Sequence, residues 1–161
     1  MTFLIFKIRV FVVAVFLMAV GSVTYAQDSY QSVLENLSKL KRWEAMCPDS
    51  VQPKMQMVLV SLNYAVQNPQ DAHVDDLLKE AEENIEKMKL VKGVAQSDIY
   101  TLTGFLYMVR IVQNPAQNGQ RYYLEVMEDF EKALKLNPNN ELAKVLQQKF
   151  FEGMRQATHT K

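Results

Sequence analysis

The 161-residue chain carries 18 basic and 18 acidic residues, for a formal net charge of zero. That balance gives no electrostatic pull toward nucleic acid or an anionic lipid surface. A single cysteine, Cys47, excludes an internal disulfide framework, so the core has to be held by packing.

Residues 1–26 read as a secretory signal. Lys7 and Arg9 form a basic start, Val10 to Val20 is an uncharged apolar run, and Thr24-Tyr25-Ala26 offers small residues at a cleavage point. The apolar run is short for a membrane span, which takes about 20 residues. An uncleaved anchor is the alternative, and the membrane would then be touched only through this segment. The expected product is an exported chain, periplasmic or secreted, with one domain over 27–155, large enough for a core of its own. Cys47 is expected to be a buried spectator thiol, because cysteine is among the most often buried residues; cross-linking two chains is the other reading.

After the signal, apolar positions recur with helical period and no stretch alternates as a strand would. A flanking helix is predicted over 28–46, capped by Asp28 or Ser29, with Val33, Leu37, Leu40 and Trp43 on its apolar side. Cys47-Pro48-Asp49-Ser50 breaks it. The second helix spans 52–67, with Pro53 in the first turn, where a missing N–H costs little, and Gln67-Asn68-Pro69 ends it. The third, 71–90, takes Asp71 as its cap, and Gly93 closes it. Ser97 caps the fourth, 97–112, which Gln113-Asn114-Pro115 ends. The fifth, 119–136, stops at Asn137-Pro138. The sixth covers 140–155, and 156–161 is expected to be a disordered tail.

Acid-to-base pairs four apart, Asp75/Lys79, Glu83/Lys87, Glu128/Lys132 and Glu131/Lys135, mark solvated helix faces. The second and fourth helices differ: MVLVSLNYAV and IYTLTGFLYMVRIV are apolar almost all round, which requires cover on several sides.

The chain also repeats itself. Ala81, Ile85, Met88 and Gly93 stand at spacings of 4, 3 and 5, and Val126, Phe130, Ala133 and Pro138 reproduce those spacings 45 residues later. Ser61 and Tyr64 recur as Gly104 and Tyr107, 43 residues later, and both of those helices end in Gln-Asn-Pro. Glycine inside a helix costs about 1 kcal/mol relative to alanine, so close approach of a partner helix at Gly104 is the expected compensation. Phe130 and Ala133, one turn apart, read as a bulky knob beside a small hole.

These positions resemble the tetratricopeptide repeat. Tyr100, Thr103, Gly104 and Tyr107 match its first helix, with Thr103 in place of an aliphatic residue. Val126, Phe130, Ala133 and Pro138 match its second, with Val126 for an alanine. The two units run over about 53–93 and 97–138. They are longer than the family's repeat of about 34 residues, and in the second the excess falls around NPAQNGQRYY, extending the turn or the second helix. The sixth helix has Lys144, Gln147 and Gln148 where a new repeat would have Trp, Leu and Gly, so it is read as a capping helix.

The resemblance implies an all-α, TPR-like α-solenoid of antiparallel helical hairpins, about six helices in all. It also implies protein or peptide binding on a concave side lined by first helices. Carried onto this chain, that groove would hold Met55, Val58 and Leu62 from the second helix, and Phe105, Met108 and Val109 from the fourth.

Little in the sequence points to catalysis. His73 and His159 are the only histidines, and no HExxH, paired CxxC, EF-hand, GxGxxG, Walker or GxSxG pattern occurs. The expectation is a non-enzymatic, exported helical-repeat adaptor of the bacterial envelope, with no cofactor or metal and an unidentified protein or peptide as partner. A self-associating scaffold subunit, such as a homodimer, is the first alternative. A small enzyme using Cys47 or His73 is the second.

Overall fold

The structure, a computed structural model, describes residues 29–159, with side chains described through residue 156. The expected signal segment, 1–26, lies outside the described residues. Among these there are six helices and no strands: α1 (Tyr30–Met46), α2 (Val51–Gln67), α3 (Val74–Lys89), α4 (Gln96–Gln113), α5 (Pro115–Leu136) and α6 (Glu141–His159).

The helix starts follow capping chemistry, not always at the predicted residue. Ser29 and Ser50 cap α1 and α2 through their side chains. The Asn140 carboxamide accepts from Ala143 N at 3.0 Å and caps α6. Asp71 does not cap α3. It accepts from His73 N at 2.8 Å, which holds the turn just outside the helix, and α3 begins at Val74. Ser97 does not cap α4 either. That helix starts one residue earlier, from Ala95, and the Ser97 hydroxyl is turned inward to donate to Ala133 O of α5 at 2.9 Å. The fifth helix begins at Pro115, not 119. Pro115 stands in its first turn, behind an Asn114 cap, where its missing N–H has no partner to lose. The extra length of the second unit is therefore helix. At the other end, α6 runs to His159, past the expected helix end at 155.

Successive helices pack into two hairpins, α2 with α3 and α4 with α5. The fourth helix is the centre, resting against α2, α3, α5 and α6. Its apolar character all round is satisfied there, since Ile99, Leu102, Phe105, Leu106, Met108, Val109, Ile111 and Val112 are all buried. One large core joins them to Val58 and Leu62 of α2, Leu78 and Ile85 of α3, Phe130 of α5 and Phe150 of α6. A smaller core sits under α1, where Val33 and Leu37 meet Met57, Tyr64 and Leu77. Trp43, expected on the apolar side of α1, is 39% exposed instead.

Among the described glycines, only Gly104 is closely approached, within the second hairpin. A Cβ on Gly104 would meet Phe130 Cε1 at 3.0 Å and Asp129 Cβ at 3.3 Å. At the far end of that hairpin, Asn140 Nδ2 lies 2.8 Å from Ser97 Oγ and 3.1 Å from Thr101 Oγ1. This buried polar junction ties the start of α6 to the start of α4.

Candidate interaction cleft

The predicted apolar groove is not open. Val58, Leu62, Phe105, Met108 and Val109 are all at most 2% exposed, inside the main core, and Met55 is a half-buried neighbour packed against that core. The physical reason is cover: α3, α5 and α6 contribute Leu78, Ile85, Met88, Phe130, Leu146 and Phe150 to the same cluster. The repeat positions Ser61, Tyr64, Ala81, Ile85, Phe130 and Ala133 are buried as well, Tyr107 is half-buried, and Pro138 stands exposed in its turn.

Concave features lie elsewhere, two of them beside α1 and α3. Both α1 and α3 rest on α2 without packing closely on each other. The gap between them holds a cavity of about 350 Å³, floored by Met57 and walled by Lys41 and Glu44 of α1 and by Glu80, Asn84 and Lys87 of α3. A second cavity of about 610 Å³ shares Glu44 and Lys87 and continues past Pro48 and Lys54 to Leu90 and Lys92.

Ion pairs bridge the gap. Lys41 reaches Glu80 at 2.7 Å, and Glu44 lies 3.6 Å from both Lys87 and Lys54. Lys87 is thus drawn to α1 and not to Glu83 on its own helix, whereas Glu128 and Lys132 do form their expected pair at 3.1 Å. Lys54 is 4% exposed and donates to Pro48 O at 2.6 Å and Ser50 O at 3.1 Å, which fixes the α1–α2 joint. Asn84, 2% exposed, donates Nδ2 to Glu80 O at 2.9 Å, while its Oδ1 has no hydrogen-bond partner. An orphan acceptor of this kind is uncommon, because burying one without a donor costs about 1–3 kcal/mol.

The titratable residues singled out from the sequence fall far from one another. His73 stacks on Tyr30 with ring centroids 3.8 Å apart, and its Nδ1 is 2.8 Å from Asp71, whose carboxylate also accepts from Tyr64 Oη at 3.0 Å. The His73 backbone N–H, then its ring, holds the Asp71 carboxyl below its usual range. Burial, then the Asp71 contact, pushes the Tyr64 phenol up. Cys47 caps the opposite end of α1 from Tyr30. The 17 residues of that helix separate Cys47 from His73 by about 25 Å at the helical rise. The thiol is exposed, not buried as expected. No group of three or more His, Cys, Asp or Glu among the described residues could hold a metal.

Sequence reasoning missed Asp129. Its flanking Glu128 and Lys132 belong to the wet face, yet Asp129 itself is 8% exposed, its Oδ2 has no hydrogen-bond partner, and burial pushes its carboxyl up to about 6. The signal was present in the repeat offset, which aligns Asp129 with Asn84.

No family model matches the chain, and neither a curated protein nor a solved structure matches it. Among the described residues, no helix is long and apolar enough to cross a membrane.

Proposed function

We propose that the chain is a non-enzymatic helical-repeat protein of the tetratricopeptide kind, exported into the bacterial envelope, where it binds a protein or peptide segment in the cleft between α1 and α3. The observation that carries this reading is the cleft beside Met57, with charges of both signs on its walls. A peptide with charged side chains of both signs can exchange with the bridging ion pairs of such a cleft. Export rests on the pattern of residues 1–26, and the repeat assignment on the paired spacings of the two hairpins. The separation of Cys47 from His73 speaks against their acting together in catalysis.

Affinity capture from envelope proteins tests the cleft. Lys41→Glu combined with Lys87→Glu reverses two wall charges on side chains that are 57% and 52% exposed, so the fold should survive, checked by circular dichroism. Loss of the captured partners is expected. Capture of the same set by a folded variant would remove the cleft from the reading.

A self-associating subunit is the second reading. It is favoured by exposed apolar side chains on the last two helices: Leu124 at 66%, Leu136 at 57% and Val145 at 46%. Light scattering decides it, since a strict monomer at tens of micromolar leaves that reading without support.

A further inference from the structure

Asn84 and Asp129 hold the same place in the two hairpins. They are 45 residues apart, and each precedes the large buried side chain of its helix, Ile85 or Phe130. Asn84 donates Nδ2–H to the carbonyl of Glu80, one turn earlier, at 2.9 Å. The residue one turn before Asp129 is Glu125. An ionised carboxylate has no hydrogen to donate there, and Asp129 Oδ2 has no partner. The carboxylic acid regains a donor like the one the amide carries.

We propose that Asp129 is a proton-operated latch of the α4–α5 hairpin. Protonated, its carboxyl donates to the Glu125 carbonyl as Asn84 donates to Glu80. Ionised, it leaves a buried charge without a donor where the two helices pack closely beside Gly104. The surroundings do not neutralise that charge. Lys132 and Lys89 draw the proton off, Glu128 and Glu125 hold it on, Tyr107 of α4 supplies no cation, and burial outweighs the rest.

The direction of the pH dependence follows. The folded chain keeps this proton where the unfolded chain, near the ordinary value of 3.8, has released it. The stabilisation is complete below that value and is lost as pH rises through about 6. Asp71, whose folded value is lowered, acts below 3.8 and so outside the window.

The test combines two measurements on the full chain. In wild type, the ¹³C-labelled Asp129 carboxyl is titrated by NMR, with a midpoint near 6 expected. Urea unfolding of wild type and Asp129→Asn is then compared at low and neutral pH. On passing from about pH 7.5 to pH 5 the unfolding constant of wild type should fall roughly tenfold more than that of the variant, which already carries the amide. A carboxyl midpoint near the ordinary value of about 3.9, or equal pH responses in the two proteins, would overturn the latch. Should Asp129→Asn fail to fold, the wild-type titration still decides.

Discussion

Gly104 and Phe130 form the tightest contact at any glycine among the described residues: a Cβ on Gly104 would stand 3.0 Å from Phe130 Cε1. The ring is fully buried, so it has no free space into which to swing. Two effects oppose each other in Gly104→Ala. Helix propensity favours alanine by about 1 kcal/mol, and overpacking costs about 1–3 kcal/mol. Overpacking should win, for a net loss of about 1 kcal/mol by urea denaturation, with Gly104→Val losing more. Phe130→Leu in the Gly104→Ala background should recover part of the loss. Simple additivity of the two changes would mean that this contact is not what limits the site.

Asn140 joins α4 and α6 through one carboxamide, and its partner Ser97 carries the link on to Ala133 of α5. Asn140→Ala removes the α6 cap and leaves Ser97 and Thr101 with fewer partners, at a cost of about 1–3 kcal/mol. Hydrogen exchange should quicken in the first turn of α6 while α2 and α3 keep their protection. Uniform quickening across all helices would contradict a local role.

Lys54 is a buried cation satisfied by Pro48 O, Ser50 O and Glu44. Lys54→Met keeps much of the stem packing but takes a donor from two carbonyls and leaves Glu44 with Lys87 alone, so a loss of about 2–3 kcal/mol is expected from chemical denaturation. A neutral outcome would mean that water replaces the ammonium without penalty.

Asp71 should set part of the acid limb of stability. Its folded value is lowered by the His73 backbone N–H, so its contribution is present above the unfolded value of 3.8 and lost as pH falls through the folded one. Asp71→Ala should therefore show a flatter decline in stability below about pH 4 than wild type. An unchanged acid transition would show that other carboxylates carry it.

The helical character and the number of helices could be read directly, because period and proline placement agree along the chain. A close approach at Gly104 was also legible, since a glycine inside a strongly apolar helix needs a compensating neighbour, but that the neighbour is Phe130 comes from the structure. Other features were ambiguous at the level of single letters. Pro115 serves equally well as a stop or as a first-turn residue, and the preceding Asn114 side chain decides for the second. Ser97 has the right chemistry for a cap, but a hydroxyl can serve a distant carbonyl as readily as a local amide. The apolar groove failed for a different reason: periodicity tells which residues avoid water, not whether another helix or a partner does the covering. Asp129 was hidden in an acidic run beside the exposed Glu128, and emerges only when the two hairpins are superposed by their offset.

Asn114 ends α4 and caps α5 at once. Its neighbour Asn118 adds a strut, donating Nδ2 to Arg110 O at 2.7 Å across the bend. A joint of one residue has no slack, so the second hairpin must swing as a stiff elbow. The connections at 68–73 and 90–95 are longer, and the second passes through Gly93 at φ +81°. Bending of the whole protein is thereby steered away from the second hairpin and toward the two ends of α3, the helix that forms one wall of the charged cleft.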